Sequence, residues 1–228
     1  MVIQLNTVIP LGRTFDEYVR MFDLTQQDLN KSILSVADGP ASFNAEGTKL
    51  GFKIKSVDPL YKFSSTQIKS RFDQVVDNII KQVEETPKDW VWTYHKSSHK
   101  LRKNREKAIN VFCQDYEQGQ VESRYEIGEL PQLKYLDCEY ELGLSSHFLF
   151  LYSEQFDQDF HLNSIKEMLR VCQELRIFPL LTLKNKRSPY LEFITEKLEK
   201  QGHNCQIKKV SYQLQAGGNE MLKITKNS

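Results

Sequence analysis

The segment from Ser32 to Tyr61, SILSVADGPASFNAEGTKLGFKIKSVDPLY, constrains the fold more than any other part of the chain. The apolar run Ile33, Leu34, Val36 stops at Asp38-Gly39-Pro40, a turn signal. A helix fits Ala41 to Leu50, with Gly51 as its stop. A second strand, Phe52 to Val57, then delivers Asp58. Strand, tight loop, helix and strand make a βαβ unit, which brings backbone N–H groups and a helix start to a ligand. A carboxylate about 20 residues after the loop accepts the hydroxyls of a ribose. The pattern implies an adenosine-type cofactor. Asp58-Pro59 also starts turns, so Asp58 reads as a cap for the next residues too, and the two roles are compatible.

The 228 residues suit one α/β domain with a sizeable insertion. Lys plus Arg number 31 and Asp plus Glu 30, so no global charge draws the chain to nucleic acid or an anionic membrane. The four cysteines, Cys113, Cys138, Cys172 and Cys205, form no C-x-x-C pair, which leaves neither a zinc knuckle nor a thioredoxin-like motif. Reduced thiols in a cytoplasmic protein are the simplest reading. The densest apolar run, Phe148 to Tyr152, is too short to span a bilayer. The opening MVIQLNTVIPLGR lacks the basic and apolar regions of a secretion signal.

The elements that follow keep a βα rhythm. Ser64 with Gln67 makes a capping box, and Ile68, Phe72, Val75, Val76, Ile79, Ile80 and Val83 recur at helical spacing up to Pro87. A second helix fits Ser97 to Tyr116, closed by Gly119. Strands fit Val121 to Ile127 and Tyr140 to Ser146, and a helix fits Phe160 to Leu175. A strand fits Arg176 to Leu183, and a helix starts at Ser188-Pro189 and ends at Gly202. Cys205 to Leu214 and Glu220 to Lys226 are final strands around an Ala216-Gly217-Gly218-Asn219 hairpin turn. The expected fold is α/β: a Rossmann-like seven-stranded sheet with an antiparallel last strand and helices on both faces. Residues 1–228 form one domain, with an N-terminal helical lid over 1–31 and a helical cap inserted over 64–120.

That order resembles the class I S-adenosylmethionine-dependent methyltransferases. The segment GELPQLKYLDCEYELGLSSHF, Gly128 to Phe148, is similar to the family stretch G-D-A-x-x-L-P-F-x-D-x-x-F-D-x-V-x-S. The resemblance implies that Glu129 meets the adenine amino group and that the Leu130 N–H meets an adenine ring nitrogen. Tyr140-Glu141 takes the place of Phe-Asp, and Ser145-Ser146-His147 ends the fourth strand over the reacting methyl. The wording GPASF, DPLY and SHFLFLYS resembles a bacterial group within that superfamily. The first motif departs from the pattern acid-x-Gly-x-Gly-x-Gly: across Ser35 to Ala41 only Gly39 remains. Ser35 stands where an acid supports the cofactor's amino group, and Asp38 is expected to share that task. The implied cofactor site is Asp38, Gly39, Pro40, Asp58, Pro59, Glu129, Leu130, Ser145 and Ser146, with S-adenosylmethionine as cofactor and Arg13 near its carboxylate.

His147 ends a central strand, where it can serve as general base or simply lie against the core. Tyr61, Trp92 and Asn219 are expected on the acceptor side, with the tryptophan alternatively packing the cap and the asparagine alternatively a turn residue. His95 and His99 have the spacing of a metal pair but no third ligand, and a solvated helix face is the expected outcome. The basic run 96–107, preceded by Trp90, Trp92 and Tyr94, fits nucleic acid less well than an ordinary solvated face. Methyl transfer to a small molecule is therefore expected. A non-catalytic cofactor-binding scaffold and a nucleic-acid methyltransferase are the alternatives. A nicotinamide enzyme is disfavoured by the absence of G-x-G-x-x-G and by the antiparallel final hairpin.

Overall fold

Why β1 is largely apolar is answered by where it lies. In the computed structural model, which describes residues 10–226, β1 (Ile33–Val36) is buried at every position. It pairs in parallel with β2 (Ile54–Val57), Ile33 opposite Ile54, and on its other side with β4 (Tyr140–Ser146), Ile33 opposite Leu142. A strand covered on both faces has no place for polar alternation. Leu34 and Val36 join the core beneath α6 (Gln158–Val171) and α7 (Leu191–Glu199), while Ile33 joins the opposite core under α1 (Phe15–Met21) and α3 (Phe43–Lys49).

The sheet has seven strands in the order β3-β2-β1-β4-β5-β7-β6. The chain leaves β1 in opposite directions, so the switch point lies between β1 and β4. β7 (Glu220–Lys226) is antiparallel to both β5 (Cys172–Phe178) and β6 (His203–Lys209), between which it is inserted. This is the expected seven-stranded sheet with helices on both faces. No helix among the described residues is long and apolar enough to cross a membrane.

Several boundaries differ from those read in the sequence. The capping box at Ser64 holds, starting α4 (Ser65–Glu85). α5 runs Ser98–Val121, and Gly119 lies inside it rather than closing it. A Cβ there would come within 2.4 Å of the Tyr125 ring, so packing demands the glycine. Ser123, at φ 57°, makes the left-handed stop instead. Strand β3 is reduced to Tyr125–Glu126 because α5 consumes the residues before it. α6 passes into β5 at Val171 and Cys172 without a turn, so the strand starts earlier than expected. The Ala216–Asn219 hairpin turn is instead part of a longer connection between β6 and β7, tied down where Val91 N–H donates to the Leu214 carbonyl at 2.7 Å.

The helices of the 64–120 insertion pack on each other, with Phe72, Val76, Ile109 and Phe112 in a core of their own. α5 lies against α3 and β3, so half of the insertion is an ordinary layer on the sheet. The lid expected over 1–31 is described only from residue 10, and residues 1–9 lie outside the described part. Its helix α1 is capped reciprocally by Thr14 and Glu17 and stacks Phe15 and Tyr18 on Phe43.

Candidate functional site

A cavity of about 600 Å³ opens at the carboxyl ends of the central strands. Its floor is the loop after β1. Gly39 has φ 54°, a left-handed conformation that glycine adopts without strain. Its N–H donates to Asp58 Oδ2 at 2.8 Å, and its carbonyl accepts from the Tyr61 hydroxyl at 2.8 Å. The other oxygen of Asp58 accepts from the Leu60 N–H at 2.7 Å, capping the 3₁₀ turn Pro59–Lys62. Cavity-lining acid and turn cap are thus combined in one side chain. Burial pushes the Asp58 pKa up to about 6, against the pull of its two N–H donors.

Asp38 lines the cavity but is occupied within the protein. It accepts from the hydroxyls of Tyr18 and Ser35, and from Ser56 Oγ at 2.6 Å. Burial raises its pKa, and these three donors oppose the rise. Ser35, in the place of an acid, serves Asp38. From above, Gly12 presses on the same loop: a Cβ at that position would sit 2.0 Å from the Pro40 carbonyl oxygen.

The other expected residues divide. Gly39, Pro40, Pro59, Glu129, Leu130 and Ser146 line the cavity, as does His147. Ser145 does not: its neighbour in the pleat faces the cavity, and Ser145 itself is fully buried with Oγ unpartnered. Tyr61 is buried in the core of α4 and α5 and braces the loop from behind. Trp92 packs at the edge of that same core. Asn219 immediately precedes β7, its carbonyl accepting from Val210 N–H at 2.9 Å, while Gln215 and Gly218 of the same connection reach the cavity.

His147 has φ 56° and donates its N–H to the Phe178 carbonyl at 2.6 Å. Its Nδ1 lies 2.9 Å from Ser146 Oγ. Burial, then Arg13 and Arg105, hold its pKa well below the ordinary imidazole value, so it is neutral at physiological pH and keeps one ring nitrogen as acceptor.

Two features went unread in the sequence. An aromatic wall of Phe148, Tyr152, Phe156 and Phe160 follows β4, with Phe156 stacked on Phe160 at 4.3 Å. The density of rings after Ser146 was its only signal. The second feature is a buried polar knot. Glu17 receives Arg105 Nη1 at 3.0 Å and the Tyr212 hydroxyl at 3.0 Å, and His95 Nε2 lies 3.0 Å from that hydroxyl. Burial pushes the Glu17 carboxyl up, but Arg105 and His95 outweigh it and hold it well below the usual range.

His95 therefore belongs to a buried turn and not to a solvated helix face shared with His99, since α5 begins only at Ser98. The basic run 96–107 is broken likewise. Arg105 is buried on Glu17, Arg102 pairs with Asp77 and Glu106, and Lys107 lies 3.5 Å from Glu46. Lys96, Lys100 and Lys103 stay exposed, and Lys100, Lys103 and Lys107 share one face of α5.

No family model matches the chain. Among solved structures it is similar to the mitomycin 7-O-methyltransferase MmcR, with a TM-score of 0.51 and 10% identity, over 93% of this chain and 54% of that one. It is also similar to magnesium protoporphyrin IX methyltransferase (ChlM) from Synechocystis PCC 6803, crystallised with bound SAM, with a TM-score of 0.47 and 11% identity over 93% and 91% of the two chains. The likeness to MmcR is one of fold. In sequence, the chain is 34% identical over 223 residues to Uncharacterized protein MJ0045 of Methanocaldococcus jannaschii, covering 97% of this chain and 98% of that protein. That relative is archaeal, where the wording of the segments resembles a bacterial group. The chain belongs to the same family as MJ0045 of Methanocaldococcus jannaschii.

Proposed function

We propose that this chain is an S-adenosylmethionine-dependent methyltransferase acting on a small molecule. The observation that carries this reading is the cavity at the switch point, with Asp58 at the end of β2 facing it. Ligands of open α/β sheets bind in that crevice. The donor set suits the cofactor: a carboxylate for ribose hydroxyls in Asp58, and an acid and an apolar residue beside an adenine in Glu129 and Leu130. A cavity of about 600 Å³ lies within the range of small-molecule sites.

When bound, the cofactor supplies a methyl group already activated by its sulfonium. The protein's own part is alignment and exclusion of water. Gly39 and Pro40 shape the floor, and Asp58 orients a ribose. Ser146 and the neutral His147 face the region where an acceptor meets the methyl group. His147 is able to take a proton there if the acceptor loses one, its Nδ1 being steadied by Ser146. The insertion contributes Ile79 of α4 to the cavity wall, which supports its role as a cap. Burial of Arg105 and the pairing of Arg102 thin the basic run, which supports a small acceptor over nucleic acid. The four cysteines are free, in keeping with a reducing cytoplasm.

Calorimetric titration with S-adenosylmethionine, S-adenosylhomocysteine and NADH tests this reading. Binding of both sulfur compounds at about micromolar Kd, without NADH, is expected. Absence of all binding points instead to a scaffold, a reading that the full occupation of Asp38 by internal hydroxyls keeps open.

A further inference from the structure

Arg13 stands on the cavity wall without a counter-ion among the described residues. One of its Nη groups donates to the Leu11 carbonyl, while Nε is sealed from solvent and meets no acceptor. The nearest carboxylate is spent: Glu17 serves Arg105, Tyr212, Asn104 and its own helix cap. The root of the side chain is fixed, because Ser42 N–H donates to the Arg13 carbonyl at 3.0 Å and Gly12 is pressed onto Pro40. A half-buried guanidinium whose Nε edge lacks an acceptor is incomplete, since a buried donor without a partner is unfavourable. That edge matches a carboxylate in bidentate geometry.

Arg13 enters from the side of the β1 loop, where its carbonyl is tied to Ser42, and shares the cavity wall with His147. Arg105, Tyr212, Glu17 and Tyr18 act on Arg13, and Arg13 is the leading charge acting on His147. Tyr212 lies in the β6–β7 connection and His147 directly after β4, while Glu17 and Tyr18 belong to α1 and Arg105 to α5. Asp38 and Asp58 line the β1–β2 half, and both carboxylates are already engaged by protein donors. The Phe178 ring lies 5.4 Å from that of His147, and Leu183 and Leu214 add apolar wall to the same cavity beside Tyr212 and Gln215.

We propose that the methyl acceptor is a small apolar molecule bearing a carboxylate, and that Arg13 receives that carboxylate. The inference rests on the methyltransferase reading. The same chemistry is present in the methionine end of the cofactor, so the test separates the two sources.

The full chain is screened by thermal shift against aromatic and aliphatic carboxylic acids, each paired with its primary amide, with and without S-adenosylhomocysteine. At least one acid is expected to stabilise the wild type where its amide does not. Arg13→Gln is expected to abolish that difference, and Arg13→Lys, which keeps the charge but not the fork, to weaken it. Should the glutamine variant fail to fold by circular dichroism, the lysine variant carries the comparison. No acid preferred over its amide, or equal preference in both variants, overturns the proposal.

Calorimetry then compares S-adenosylhomocysteine with 5′-methylthioadenosine, which lacks the carboxylate. Arg13→Gln is expected to change both affinities by the same small factor. A loss of about tenfold for S-adenosylhomocysteine alone assigns Arg13 to the cofactor and overturns the proposal. Wild-type protein that binds neither sulfur compound defeats the methyltransferase reading. An acid preference measured without nucleoside then leaves the anion site standing apart from it.

Discussion

Asp58 is a carboxylate held by two backbone N–H groups at the rim of a cavity, with a pKa raised from 3.8 to about 6. Its folded state binds a proton more tightly than the unfolded chain does. The stability it contributes is therefore present at low pH and lost as pH rises through about 6, worth at most about 3 kcal/mol. Urea unfolding of wild type and Asp58→Asn at about pH 4 and about pH 7 checks the sign: the wild type gains on the variant at the lower pH. Ligand binding runs the other way. The ionised carboxylate accepts hydroxyls, so affinity for S-adenosylhomocysteine should decline below about pH 6, and Asp58→Ala should weaken it by about 1.5 kcal/mol or more. Two glycines of the same region make a contrast. At Gly39 a Cβ meets nothing within 4 Å, so Gly39→Ala costs only backbone strain, about 1–2 kcal/mol. At Gly12 the Cβ meets the Pro40 carbonyl, so Gly12→Ala moves the loop and costs about 3 kcal/mol or more. Thermal denaturation of the two variants decides. Asp58 was legible because its place after a second strand is a property of local order. Asp38's role was not, because two of its three donors, Tyr18 and Ser56, come from other elements.

At the scale of elements, the knot of Glu17, Arg105, His95 and Tyr212 joins α1, α5, the turn before α5 and the β6–β7 connection. Glu17→Ala leaves Arg105 buried and unpaired, and should cost about 3–5 kcal/mol in urea unfolding. Glu17→Ala combined with Arg105→Met should cost less than the sum of the two single changes, because the second removes the charge stranded by the first. Nothing near Glu17, His95 or Arg105 in the chain announces this meeting. A histidine and an arginine in a charged run look solvated until the helix holding α1 is placed against them. The misread boundaries have a similar origin. β4 and β7 were found with their bounds, since turn signals flank their apolar residues. β5 was not, because α6 enters it at Cys172 with neither glycine nor proline between. Gly119 looked like a stop, and is there for the Tyr125 ring.

For the whole molecule, the seven strands and the antiparallel last one were readable from rhythm and from the resemblance of Gly128 to Phe148. The cavity was readable only in part: its polar rim follows from strand ends, but its aromatic wall depends on how the loop after β4 folds back over Phe160. A ligand bound only by the folded state raises the stability of the whole domain. S-adenosylhomocysteine at 100 times its Kd should stabilise it by about 2.7 kcal/mol, seen as a higher Tm in a calorimetric scan. Asp58→Ala should show a smaller rise at the same concentration.

The insertion of β7 between β5 and β6 also fixes a calendar for the chain's birth. β6 is joined to the sheet only through β7, which leaves the ribosome after it. Until Glu220 to Lys226 emerge, β5 keeps a bare edge and β6 has nowhere to dock. The nascent sheet therefore waits, five strands wide, with an open hydrogen-bonding edge that invites stray partners. One late segment of seven residues closes two gaps at once.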